Sequence, residues 1–316
     1  MDEPAPPRLA FLGPSGSYSH SCAVERFEDS VQYIEQSTIA DVFRAVSPEI
    51  PFAVIPQENS VYGTVIDTYD ALRSPEAGQS VFIRGELALA VQHCLVVRRG
   101  VHLEDVQRVM SHEQALGQCS RFLSERMPNA VLMKVPSTSA AANAVVCCGE
   151  GSDEPESAAI CSAHCAGMFD SLEVLESSIQ NERSNTTRFY ILANALDGPL
   201  PGGKTVARHR RALVRIGNQL RHHREGEPPS STHLSRIVSS TLLTTFGCPA
   251  LRINRRPSLN DVPFDDVYFV EIGDSTPPFP SEAASKSCEG EWVQRVRDGI
   301  ERINATGGEA IILGLW

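Results

Sequence analysis

A chain of 316 residues, 41% of them hydrophobic, is long enough for two or three packed domains and too apolar to be mainly disordered. Its formal charge of −11 and pI near 5.3 exclude the basic field that a nucleic-acid surface needs, and oblige any anionic ligand to find a local positive pocket. No apolar run approaches the roughly 18 residues that span a bilayer, so no membrane segment is expected.

The opening residues, Met1-Asp2-Glu3-Pro4-Ala5-Pro6-Pro7, are acidic and lack the apolar stretch of a signal peptide. Leu9–Leu12 reads as a strand ending in Gly13-Pro14-Ser15-Gly16-Ser17. Phe52–Ile55 reads as another, ending in Pro56-Gln57-Glu58-Asn59-Ser60. Glu86–Val97 is long, and apolar on alternate positions for much of its length. Val109-Met110 ends in Ser111-His112, after which Ala115, Leu116, Cys119, Phe122 and Leu123 recur at helical spacing. Val131–Lys134 ends in Pro136-Ser137-Thr138-Ser139 and an alanine-rich helix. Ala158–Ile160 precedes a further helix, and Arg188–Ala195 is the last strand of this half. Strands alternating with helices predict an α/β fold with a mainly parallel sheet.

From Arg210 the order changes. Ala212–Ile216 is a strand and Leu234–Phe246 a helix with Leu234, Ile237, Val238 and Leu242 on one face. Ala250–Ile253 and Val267–Ile272 are strands, Trp292–Asn304 a helix, and Ala310–Leu313 a final strand. That is the βαββαβ order of a ferredoxin-like domain, from about 208 to 316. Gly149–Ser157, Asn218–Ser231 and Asp274–Gly290 read as linkers or insertions.

The strands of the first half end in Ser, Thr, Gly, Asn or Glu where a helix begins. Ligands of open α/β sheets bind outside those ends, and free helix N–H groups favour anions there. The competing reading makes Ser15, Ser111 and Ser137 plain helix caps. Nine cysteines, including Cys22, Cys94, Cys119 and Cys147 in apolar surroundings, read as core residues of a reducing compartment, hence a cytoplasmic protein. Cys161, His164 and Cys165 lack the second ligand pair of a metal site. Neither Gly-X-Gly-X-X-Gly nor a Walker sequence occurs, so no cofactor is expected.

Five blocks in order resemble the prephenate dehydratases. They are Phe11-Leu12-Gly13-Pro14-Ser15-Gly16-Ser17-Tyr18-Ser19-His20, then Val54-Ile55-Pro56-Gln57-Glu58-Asn59-Ser60 with Gly63-Thr64-Val65, then Ser111-His112-Glu113-Gln114-Ala115-Leu116-Gly117-Gln118-Cys119. Ser137-Thr138-Ser139-Ala140-Ala141 and Asn185-Thr186-Thr187-Arg188-Phe189 complete the set. Gln57 replaces a common Ile of the family, and Glu113 a common Pro. The C-terminal part resembles the family's ACT regulatory domain, through Arg211-Ala212-Leu213-Val214 and Ile253-Asn254-Arg255-Arg256-Pro257.

The resemblance implies a catalytic domain at 8–195 with a type II periplasmic-binding-like fold. One subdomain would take about 8–83 and 175–195, the other about 84–174, and an ACT domain would follow at 208–316. It implies decarboxylative dehydration of prephenate to phenylpyruvate, without a cofactor, and a homodimer or homotetramer. Thr187 would be the essential residue, donating to or relaying a proton to the leaving hydroxyl. Glu58 is the candidate for a stronger acid, protonating or merely orienting. Arg188 would take a carboxylate bidentately, with Asn59, Gln118, Asn185, Ser15, Ser111 and Thr138 lining the cleft. Ala212, Leu213, Asn254, Arg256 and Pro257 would hold an effector, L-phenylalanine, as an allosteric inhibitor. Asn254 and Arg255 stand where the family has Glu and Ser, which removes a carboxylate and adds bulk and charge. Arogenate dehydratase and a non-catalytic amino-acid sensor on the same fold are the rival readings.

Overall fold

The computed structural model describes residues 5–147, 155–202, 210–218, 238–239, 247, 249–260, 262–274 and 282–316, the last with side chains from 290. In chain order the elements begin β1 (Arg8–Leu12), α1 (Tyr18–Phe27), β2 (Gln32–Gln36), α2 (Ile39–Ala45), β3 (Phe52–Asn59), β4 (Gly63–Thr64) and α3 (Ile66–Ala71). Then come β5 (Phe82–Ala90), β6 (Cys94–Arg98), β7 (Arg108–Ser111), α4 (Glu113–Gln118), α5 (Ser120–Arg126), β8 (Val131–Lys134), α6 (Thr138–Cys147), β9 (Ser157–Cys161) and α7 (Ala163–Gly167). The chain continues with β10 (Leu172–Glu176), β11 (Thr186–Ala193), β12 (Arg211–Asn218), β13 (Ala250–Pro257), β14 (Asp266–Gly273), α8 (Glu282–Ala305) and β15 (Gly308–Leu315). Contacts divide the chain into a unit of Met1–Ala45, Ala53–Val65 and Leu87–Phe189, and a unit of Val46–Phe52, Ile66–Glu86 and Tyr190–Trp316. Strands β5 and β11 each contribute residues to both.

In the first unit β1 pairs in parallel with β2, and β4 folds back antiparallel on β3. A separate five-stranded sheet has the order β10-β6-β9-β7-β8. Its β10–β6 and β6–β9 pairs are antiparallel, whereas β9–β7 and β7–β8 are parallel. The sheet is therefore mixed, not mainly parallel as expected. Successive side chains of a strand point to opposite faces. In β6 this sends Leu95 and Val97 into one buried cluster, and Cys94 and Val96 into the other. Covered on both sides, the strand can be apolar without interruption.

The expected strand Glu86–Val97 is two strands, β5 and β6, with Val91–His93 crossing between them. This crossing bonds to the second one, after β10: Val91 N–H donates to the Asn185 carbonyl (2.8 Å) and Ile179 N–H to that of His93 (3.0 Å). The edge strands β2 and β10 escaped sequence reading because their short runs interleave apolar residues with Gln and Glu, as a half-exposed edge allows.

In the second unit β12, β13, β14 and β15 form an antiparallel sheet in the order β13-β14-β12-β15, the ferredoxin-like arrangement. Trp292, Val296, Ile300 and Ile303 of α8 pack on Ala212, Val214 and Ile216 of β12. Gly314 pairs with Ile83 of β5, and a side chain there would collide with the Ile83 carbonyl oxygen. The expected helix Leu234–Phe246 lies outside the described residues except for Val238 and Ser239. Among the described residues no helix is long and apolar enough to cross a membrane.

Candidate active site

A cleft of about 420 Å³ opens in the first unit, where strand ends and helix starts of both its sheets meet. Helices α1 and α6 begin on it. Ser17 caps α1 by accepting from the His20 N–H, and Ser137 caps α6 by accepting from the Ala140 N–H (2.9 Å). Ser17, Tyr18, Ser137 and Thr138 all line the cleft. Capping and anion attraction coexist here, because a cap satisfies one N–H and leaves the positive end of the helix directed at the opening. Among the described residues the lining includes no lysine, arginine or carboxylate; its titratable side chains are Tyr18, Tyr62, His93 and His112.

The orientation of one amide follows from its bonds. Asn59 Oδ1 accepts from the backbone N–H groups of Val61 (2.9 Å) and Tyr62 (3.1 Å) in the turn after β3. Its nitrogen therefore faces β11, donating to Asn185 Oδ1 (2.7 Å) and Thr187 Oγ1 (2.9 Å). An amide carries two donors on nitrogen and none on oxygen, so the assignment is unambiguous. Thr187 accepts this bond, which leaves its single hydroxyl proton free to be donated into the cleft. Asn185 is 2% exposed, and the pair anchors the start of β11 to the end of β3.

Five expected site residues, Thr187, Asn59, Gln118, Asn185 and Thr138, thus line one cleft. Four others do not. Arg188 follows Thr187 and Glu58 precedes Asn59 in their strands, and strand alternation turns each away from its neighbour's face. Glu58 stands opposite Thr64, itself a lining residue, in the β3–β4 pair but is not among the lining residues. Ser15 is exposed and binds Glu35 Oε2 through its N–H (2.7 Å) and hydroxyl (2.9 Å). Ser111 is fully buried, and its hydroxyl donates to the Ile160 carbonyl (2.7 Å), tying β7 to β9.

Sequence reading passed over Tyr18 and His93. His93 is 2% exposed, and its ring joins the Tyr18 hydroxyl (Nδ1, 2.8 Å) to Gln118 Oε1 (Nε2, 2.5 Å). Burial lowers its pKa, with the Gln118 bond opposing. The available signal was a polar pair, Gln92-His93, heading an apolar strand, which equally fits a satisfied core histidine. His112 lines the cleft and caps α4 by accepting from the Gln114 N–H (3.3 Å).

None of the residues expected to hold an effector lines the cavity described in the second unit. Ala212 and Leu213 are buried in β12. Arg256 makes a bidentate ion pair with Asp70 of α3 (2.7 and 2.9 Å). A cavity of about 370 Å³ in the second unit is lined instead by Arg73, Arg215, Asn218, Asn260 and Glu309, among others. Asn254 and Pro257 do not line it either.

Comparison with known proteins agrees with the family that the sequence blocks resemble. The chain matches the prephenate dehydratase family model over residues 9–196. It is 39% identical over 193 residues to the bifunctional chorismate mutase/prephenate dehydratase of Escherichia coli K12, covering 59% of this chain and 47% of that one. It is 36% identical over 187 residues to Arogenate dehydratase 3, chloroplastic, of Arabidopsis thaliana, covering 59% and 42%. The chain spans about half the length of the curated relatives it matches. A crystal structure of prephenate dehydratase in complex with L-Phe from Arthrobacter aurescens superposes with a TM-score of 0.72 at 24% identity, covering 98% of this chain and 89% of that one. With its match across more than half its length, the chain belongs to the prephenate dehydratase family.

Proposed function

We propose that the protein is a prephenate dehydratase, converting prephenate to phenylpyruvate in phenylalanine biosynthesis. The observation that carries this reading is the Thr187 hydroxyl, held as an acceptor by Asn59 so that its proton is available to a group in the cleft. Prephenate has a ring carboxylate and, opposite it on the ring, a hydroxyl. When the C–CO2 bond breaks, its electron pair aromatises the ring and expels the hydroxyl as the C–O bond breaks. The departing oxygen takes a proton and leaves as water.

Thr187 donates a hydrogen bond to that oxygen as negative charge develops on it. One preorganised donor of this kind is worth about 10²–10³ in rate. The substrate is a dianion, and the starts of α1 and α6 together with the Gln118 amide receive its carboxylates. Neutral donors suit a group that must leave as CO2, because an arginine pair would stabilise the carboxylate that the reaction destroys. Aromatisation drives the step without an electron sink, so no cofactor is required.

The same reading makes 8–195 the catalytic part and 208–316 an ACT domain through which L-phenylalanine inhibits, in a homodimer or homotetramer. The Arthrobacter aurescens relative's complex with L-Phe and the β13-β14-β12-β15 strand order support it. A cytoplasmic location fits the buried free thiols of Cys22, Cys94, Cys119, Cys161 and Cys165.

The test is turnover, with prephenate and arogenate supplied separately while phenylpyruvate and phenylalanine are followed. Phenylpyruvate appearing faster than in enzyme-free controls is expected. Preference for arogenate would shift the assignment to that substrate, and binding without conversion of either would make the protein a sensor.

A further inference from the structure

Tyr18, His93 and Gln118 form a chain of hydrogen bonds along the cleft wall whose proton positions can be worked out. Tyr18 Oη lies 2.8 Å from His93 Nδ1 and 3.0 Å from the Gln92 carbonyl oxygen. On the far side of the ring, Nε2 meets Gln118 Oε1 at 2.5 Å. An amide oxygen only accepts, so Nε2 carries the proton, and in a neutral imidazole Nδ1 is then bare. The Tyr18 hydroxyl supplies the proton that Nδ1 needs. The Gln118 NH2 group, turned from the histidine, is left for the cleft that Gln118 lines.

The alternative proton arrangement has the opposite consequence. If Tyr18 donated to the Gln92 carbonyl, Nδ1 would hold the proton and donate to Tyr18. The bare Nε2 would then require an N–H from Gln118. That reverses the amide and presents its carbonyl oxygen to the cleft, where an anion is repelled. The histidine tautomer and the Gln118 amide therefore change together.

The ring has little freedom to escape this choice. His93 N–H donates to Gln180 Oε1 (3.0 Å) and its carbonyl accepts from Ile179 N–H (3.0 Å), which fixes the residue between the two crossing segments. Tyr18 packs edge-on against the ring with centroids 5.7 Å apart. Burial favours the neutral imidazole, which holds a single proton on its two nitrogens.

We propose that Tyr18 and His93 are positioning residues that hold the Gln118 amide with its NH2 group toward the cleft, as a donor to a substrate carboxylate or carbonyl. The proposal rests on the dehydratase reading. A comparable polar cluster serving only to fill the core would have no reason to line the cleft at all three members.

The experiment is a double-mutant cycle in steady-state turnover of prephenate by the full chain. Tyr18→Phe removes one oxygen and should lower kcat/KM about tenfold, the loss of one hydrogen bond at a charged group. His93→Ala should cost at least as much, and His93→Gln, which can still donate near the Nε2 position, should recover part of it. In a Gln118→Ala background Tyr18→Phe should cost less than about twofold, because its effect runs through an amide no longer present. A merely structural loss would persist undiminished in that background, and melting temperatures separate it further. Full activity of Tyr18→Phe, or strict additivity with Gln118→Ala, overturns the proposal. Should His93→Ala fail to fold, the Tyr18–Gln118 cycle decides alone.

If the unmutated protein binds prephenate without converting it, the dehydratase reading fails. The same cycle read on the calorimetric dissociation constant then still decides the relay. No binding of prephenate overturns both.

Discussion

The Asn59 amide nitrogen lies 2.9 Å from the Thr187 hydroxyl oxygen, joining residues 128 positions apart in the chain. Two backbone N–H groups fix the amide's other end, so the direction of this bond is set before any substrate arrives. Thr187→Ala should lower kcat for prephenate about 10²–10³-fold while moving the melting temperature little. Asn59→Ala should lower kcat less, about tenfold, because it frees the hydroxyl without removing it. Steady-state kinetics checks both, and an Asn59→Ala enzyme at the wild-type rate would show that the fixed direction is dispensable.

Three histidines predict how stability follows pH. Burial lowers the pKa of His20, with His164 adding to the shift and Glu35 opposing it, and burial lowers His93 and His164 as well. Each folded pKa lies below the ordinary 6.5, so from 6.5 down to the folded values the unfolded chain binds more protons. The stability these groups contribute is full above about pH 6.5 and is lost as pH falls through their folded values. Melting temperature should hold between pH 7 and 8 and fall between about 6.5 and 5. Replacing His164 with Gln should flatten that slope in a fluorimetric melt.

The Arg256–Asp70 ion pair attaches α3 to the outer strand of the ferredoxin-like sheet, with side chains 26% and 31% exposed. A bidentate, partly covered pair contributes more than an exposed one. Arg256→Ala should cost about 1 kcal/mol in chemical denaturation. Asp70→Ala should cost more, because Asp70 Oδ1 also pairs with Arg73 (2.9 Å), and the double variant less than the sum of the two single ones.

Trp292 is 2% exposed among the aliphatic side chains of β12, β14 and β15. Trp292→Ala leaves a cavity there and should destabilise the second unit by about 3–5 kcal/mol. Urea denaturation followed by circular dichroism would detect it, and a loss under 1 kcal/mol would mean that the site collapses to fill the space.

Strands whose apolar residues run without interruption were legible from composition alone, and Val131–Lys134 matches its expected limits. The long stretch Glu86–Val97 was misread as one strand because apolar residues recur on alternate positions for much of its length and no Gly or Pro marks the break at Val91-Gln92-His93. Only the pairing of Val91 and His93 with Asn185 and Ile179 reveals a crossing. Edge strands such as Gln32–Gln36 were invisible because half-exposed residues carry no apolar pattern.

The cleft divides the same way. By itself the sequence determined that Asn59, Gln118, Thr138, Asn185 and Thr187 belong to ordered blocks with a common chemistry. It placed Thr187 and Arg188, and likewise Glu58 and Asn59, in the cleft together, whereas only Thr187 and Asn59 of these line it among the described residues. Neighbours in a strand point to opposite faces, and which face is the cleft depends on what packs against the strand. Partners distant in sequence decided it: Asn59 turned Thr187 inward, and His93, unremarkable in the chain, became the link between Tyr18 and Gln118. Composition and order fix which groups a chain possesses, but their directions come from long-range hydrogen bonds that exist only once the chain has folded.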